Sequence, residues 1–139
     1  FSDEYSGLIV MYRNEVDSIR ERLRDIMDKL NKLSDLLLQG GIKEDLYRDI
    51  RDRLEKERIK WIRQCNEKIS SINDTLSEID KKIGEAERRK GELMIKQVVG
   101  ELSDDERNEL AGLEELLNQL RKVRSELLSL RMELEKECY

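Results

Sequence analysis

Few residues in this chain are of a type that does chemistry. The two cysteines, Cys65 and Cys138, are 73 positions apart, and there is no histidine at all. That combination excludes the common zinc spacings and any triad built on an imidazole. The acidic quartet SDDE at 103–106 lacks the alternating ligands of a calcium loop. Its Ser-x-x-Glu spacing is instead that of a capping box, in which Ser103 and Glu106 satisfy each other's orphan amides. The remaining carboxylates fall on charged helical faces, where no pocket shifts them toward acid–base work. The expectation is a protein that is not an enzyme and carries no cofactor or metal.

Two basic runs are the other candidates. RDIRDRLEKERIKWIR, residues 48–63, places seven cations around Trp61, and KKIGEAERRKGE, residues 81–92, places five cations around two helix-interior glycines. Arg51, Arg58, Lys60 and Arg63 in the first run, with Arg88, Arg89 and Lys90 in the second, are the candidate anion-binding residues, and Trp61 is placed to stack on a base or anchor at a membrane surface. Interleaved Asp49, Asp52, Glu55 and Glu57 also give ordinary helical ion-pair spacings, the signature of a solvated face.

The elements that must position these residues are helices. Of 139 residues, 42% are charged and 4% aromatic, with no proline and seven glycines. That is the composition of long helices and not of sheets, and it is too polar for a spherical core of ordinary size. Before the Gly40–Gly41 pair, Tyr12, Val16, Ile19, Leu23, Ile26, Leu30, Leu33 and Leu37 recur in alternating steps of four and three. Ile62, Cys65, Ile69, Ile72, Leu76, Ile79, Ile83 and Ala86 repeat the alternation. A third seam follows Gly100 through Leu116, Leu120, Val123, Leu127, Leu130 and Leu134. The spacing predicts an all-α chain: elongated antiparallel hairpins or a coiled coil forming one domain over 1–139, with helices at about 5–39, 43–99 and 103–138 and no β-sheet.

Glycine elbows fold the two shorter helices back along the long central one. Counting outward from each elbow brings the first helix to about residue 77 of the central helix and the third back to about residue 64. A three-helix section is therefore expected over 64–77, flanked by two-helix arms. The same count sets Cys65 beside Cys138, either as two free thiols or as a disulfide. Two-helix arms cover only one side of a seam, so Val16, Ile19, Leu23, Ile26, Leu30, Leu33, Ile69, Ile72, Leu76, Ile79, Ile83, Leu120, Leu127 and Leu134 are expected to form an oligomer seam in a homodimer or filament.

Charge argues in the same direction. The net charge is −5; residues 1–39 carry 6 basic and 8 acidic side chains, residues 42–99 carry 15 and 13, and residues 100–139 carry 6 and 11. Only the middle segment is basic, so binding of DNA or of a membrane surface is an alternative confined to the central helix. No apolar run approaches the roughly 18 residues needed to span a bilayer. A cytoplasmic location is expected, and the initial Phe1 suggests a piece of a longer chain.

The corners GGIKEDLY and VVGELSDDE, the length of helix between them, and the run KISSINDTLSEIDKKIGEAE resemble the central coiled-coil region of the archaeal cell-division protein A (CdvA) family, over roughly residues 28–136. The resemblance implies a self-associating, filament-forming scaffold that associates with DNA and acts at the inner face of the cell membrane or the nucleoid. It also implies a small β-barrel domain upstream and a short motif downstream that recruits ESCRT-III-like subunits. The matching positions are corners and seam residues, so no functional residue carries over. Assembly is expected of this segment, with the ESCRT-III-like partner engaged through regions absent from it.

Overall fold

The computed structural model describes the backbone of residues 2–139 and the side chains of residues 4–139. Three helices account for almost all of it: α1 (Ser2–Leu38), α2 (Glu44–Val98) and α3 (Asp104–Cys138), with no strand among the described residues. Their ends fall within three residues of those the periodicity predicts.

Both corners are closed by the same backbone device. Gly40 and Gly100 take left-handed φ values of 72° and 76°. At the first corner the Gly40 amide donates to Leu37 O at 3.0 Å and the Gly41 amide to Leu36 O at 2.9 Å. At the second, Gly100 donates to Gln97 O at 3.2 Å and Glu101 to Lys96 O at 2.9 Å. This paired reach back over the last turn satisfies carbonyls that a terminating helix leaves orphaned, and it requires a residue without a Cβ penalty at positive φ. The restarts differ. α3 opens on the capping box, with the Glu106 amide donating to Ser103 Oγ at 3.1 Å and the Ser103 amide to Glu106 Oε1 at 3.2 Å. α2 opens without a side-chain cap, on the acidic pair Glu44 and Asp45, which suits the positive end of its dipole.

The chain forms two compact units. In one, α1 from Val10 onward packs antiparallel on α2 up to Ser71, and α3 from Leu130 onward adds a third helix. Ile26, Leu33 and Leu54 form a buried cluster there, with Leu30, Ile42, Tyr47, Ile50 and Trp61 packed against it. The Tyr12 hydroxyl donates to Ser71 O at 3.4 Å, and Lys68 pairs with Glu15. In the other unit, α2 from Ile72 onward packs on α3 up to Ser129. The first turns of α1 supply the third element: the Tyr5 hydroxyl accepts from Lys82 Nζ at 2.7 Å. Arg124 Nε donates to Asp80 at 2.7 Å and Arg121 to Glu87 at 2.9 Å. Leu93, Leu117, Leu120, Leu127, Ile72 and Ile79 are fully buried in it.

Residues in the left-handed region and residues inside a helix respond oppositely to gaining a Cβ. Gly100→Ala forces an L-residue into positive φ and should destabilise the chain by ~1–2 kcal/mol. Gly84→Ala sits mid-helix, where an added Cβ meets nothing within 4 Å, and should stabilise by up to ~1 kcal/mol. Thermal unfolding followed by circular dichroism should move the two midpoints in opposite directions; a shift in the same direction would show that the elbow does not hold the corner.

Candidate functional site

Successive α2 side chains are ~100° apart, so steps of three and four keep to one face. Leu54 and Cys65 are buried and Trp61 is half-buried, which points that side of α2 inward. Arg53, Lys56, Lys60 and Arg63, spaced three, four and three, lie on the opposite side and are all exposed, and Ile59 beside them is 55% exposed. Among the described residues none of these four cations enters an ion pair. The sequence candidates Lys60 and Arg63 belong to this stripe. Arg51 and Arg58 do not: Arg51 turns to Asp52 at 3.2 Å with its guanidinium 5.5 Å from the Tyr47 ring centre, and Arg58 turns to Glu55 at 3.6 Å. Arg53 and Lys56 are the residues the sequence reading overlooked, although their 3-4-3 spacing was there to be read.

Trp61 is not open for base stacking. It packs against the Ile26–Leu33–Leu54 cluster, and two cations lie over its ring, Arg22 at 5.7 Å and Lys60 at 6.0 Å from the centre.

In the second basic run, Arg89 is committed to α3. Its Nε and Nη2 reach the two Glu109 oxygens at 2.8 and 2.9 Å, and Nη1 reaches Glu92 at 3.1 Å. This bidentate bond to Glu109, reinforced by Glu92, raises the arginine's pKa further and lowers that of Glu109. Arg88 is left exposed and Lys90 half-buried. The three residues therefore do not act as one cationic cluster.

Glu106 is the most perturbed carboxylate at the corner. Lys96 Nζ donates to it at 2.6 Å and the Ser103 amide at 3.2 Å, and these hydrogen bonds, with the Lys96 charge, hold its pKa at about 2. Among the described residues no group of three metal-ligating side chains occurs. The open grooves, such as that lined by Tyr5, Ile9, Gln119, Lys122 and Glu126, contain no buried acid–base pair.

Cys65 and Cys138 are joined as a disulfide, with Cα atoms 6.4 Å apart. The end of α3 is fastened three further ways. Glu133 bonds Arg13 at 2.8 Å and Arg20 at 2.6 Å, Glu137 bonds Arg20 at 3.2 Å and Arg24 at 2.7 Å, and the Tyr139 hydroxyl donates to Asn66 at 3.0 Å.

The proposed oligomer seam is largely used inside the chain. Val16, Ile19, Leu23, Ile26, Leu33, Ile72, Leu76, Ile79, Leu120, Leu127 and Leu134 are buried, and Leu30, Ile69 and Ile83 are half-buried. The covering comes from this chain's own helices: around Ile26 and Leu33 it is α2, through Leu54, Ile50 and Trp61, with Ile42 at the corner, and short lengths of a third helix add to it elsewhere. Surfaces free for association lie elsewhere. Met94, Ile95, Val98 and Val99 at the end of α2 are 48%, 67%, 87% and 59% exposed, and Leu36, Leu38 and Leu46 flank the first corner at 41%, 83% and 52%. No helix among the described residues is long and apolar enough to cross a membrane. The structure defines an all-α protein of three long helices, and no family model, curated protein or solved structure matches the chain.

The Glu106 interaction has a defined pH signature. Its folded-state pKa lies below the ordinary value of 4.5, so its stabilisation is complete above that value and drains as pH falls toward 2. Glu106→Gln should therefore flatten the dependence of the unfolding midpoint on pH between 4.5 and 2 while leaving its shape above pH 5 unchanged; an unaltered acid limb would rule out this role. The disulfide closes a loop spanning 73 positions. A chain-entropy argument then gives ~4 kcal/mol of stabilisation. Dithiothreitol should lower the wild-type midpoint markedly and leave Cys138→Ser unmoved, whereas a midpoint insensitive to reductant in both would remove the bond from the account.

Proposed function

We propose that this chain is a non-enzymatic, self-associating helical scaffold, the coiled-coil segment of a CdvA-like archaeal cell-division protein linked to ESCRT-III. In that setting it works at the inner face of the cell membrane or on the nucleoid, and its ESCRT-III-like partner binds regions outside it. The family reading rests on the two corners and the KISSINDTLSEIDKKIGEAE run. The self-association rests on one structural observation: the chain covers its long seams yet leaves Met94, Ile95, Val98 and Val99 together in solvent at one corner. Monomers rarely leave neighbouring apolar side chains exposed without a use for them, and such patches mark protein interaction surfaces.

A second reading, a nucleic-acid or membrane-surface module, draws on the unpaired cations Arg53, Lys56, Lys60 and Arg63. It is the weaker of the two, because the net charge is −5 and Trp61 is packed inward.

Sedimentation velocity across a concentration series should show a dimer or larger species for the wild type. Ile95→Ser/Val98→Ser should shift it toward monomer by at least about tenfold in Kd, equivalent to ~1.4 kcal/mol, with helicity preserved. A wild-type monomer at high concentration would overturn the scaffold reading.

A further inference from the structure

On α2 beyond Ile72, Lys81, Glu85, Arg88 and Glu92 follow one another in steps of four, three and four. At ~100° per residue they fall within an arc of ~60° and so share one face of the helix. That face is turned away from the buried Ile72, Ile79 and Ala86, and all four side chains are exposed. Lys81, Glu85 and Arg88 enter no ion pair among the described residues, although their spacing would allow pairing along the helix. Glu92 accepts from Arg89 at 3.1 Å.

The order of charge along this face is positive, negative, positive, negative. Read from the other end it is the reverse, so the face complements itself when two copies of the helix lie antiparallel. One register, centred between Ala86 and Glu87, brings Lys81 of one copy level with Glu92 of the other and at the same time Arg88 level with Glu85. A two-fold axis at that point makes each pair occur twice, whereas a parallel pair in register sets like charge against like. In the antiparallel register each incoming cation also finds a glycine next to its carboxylate, Gly91 beside Glu92 and Gly84 beside Glu85, which lets the backbones approach. A Cβ at either glycine would meet nothing within 4 Å, so neither serves the chain's own packing, and a glycine inside a helix is unfavourable relative to alanine. Ile95, one turn beyond Gly91 on the same side and 67% exposed, adds apolar area.

We infer that this face of α2 is an antiparallel, two-fold docking surface for a second copy of the chain. The inference rests on the scaffold reading and supplies its contact and orientation. Self-complementarity is what commits the face to a second copy: a polyanion or an anionic membrane calls for an excess of cations, and here two charges of each sign alternate. Charge pairing of this kind sets register and partner choice, and its contribution falls with salt.

The test is charge inversion in the full chain, read by sedimentation velocity at low salt. Lys81→Glu/Arg88→Glu leaves four acids on the face and Glu85→Lys/Glu92→Lys leaves four cations, so each should weaken self-association at least about tenfold. All four substitutions in one chain invert every sign yet keep the pattern, and should restore association to within about threefold of wild type. Circular dichroism verifies that each variant stays helical. Gly84→Gln/Gly91→Gln favours the helix but fills the approach, so its thermal midpoint should rise while its association falls at least about tenfold. Double variants that associate as the wild type does, or a fourfold inversion as weak as the doubles, would overturn the docking face and leave the scaffold reading intact. A wild type that never associates would overturn both.

Discussion

The structure depends on the antiparallel register fixed at the two glycine elbows. A helix the length of α2, 55 residues, with so narrow an apolar stripe, has no stability of its own worth the name in water and must be covered along its length. An elbow that places its glycine at positive φ and reaches back with two amide hydrogen bonds leaves the returning helix one register. Once Gly100 is set, Arg124 meets Asp80 and Cys138 meets Cys65; once Gly40 is set, Tyr12 meets Ser71. A slip of one residue would rotate each returning stripe by ~100° and lift it off its partner.

The ion pairs across the helices follow from that register more than they create it. Most are exposed, and pairs of that kind contribute ~0–1 kcal/mol each. The exception is the end of α3, where Glu137 has a side-chain exposure of 16% and Arg20 of 20%, and where Glu133 and Glu137 engage Arg13, Arg20 and Arg24 together. A network of this sort can be worth more than its pairs taken singly. It lies beside the disulfide, so covalent and ionic fastenings coincide at the point where α3 would otherwise fray.

Much of this was legible in the sequence, because helix ends and seams obey local rules. Gly40, Gly100 and the Ser103–Glu106 box are signals a few residues long, and the 3-4 alternation of leucines and isoleucines needs no knowledge of the fold. The pairing of positions 65 and 138 followed from counting along two helices. What local rules could not supply was the fate of each cation. Arg51 and Arg53 look alike in sequence, yet Arg51 bends to Asp52 and the Tyr47 ring while Arg53 stays in solvent. Arg89 looked like the centre of an anion site until α3 brought Glu109, twenty positions away, against both its nitrogens. The seam misled for a related reason. Periodicity shows that a stripe must be covered but says nothing of whose helix covers it, and here the chain's own helices do so.

Covering the stripes internally changes the physics of any assembly the chain makes. Val16, Ile79 and Leu127 are 0% exposed, and residues of this kind have no apolar area left to bury against a neighbour, so any association cannot have the salt-indifferent strength of a shared hydrophobic core. What remains outside for a partner is a few apolar side chains at the corners and the exposed cations of α2. Contacts of that composition form quickly, discriminate by sign and loosen as ionic strength rises. A chain that covers its own seams needs no partner to fold, so its stability should not depend on a partner's concentration.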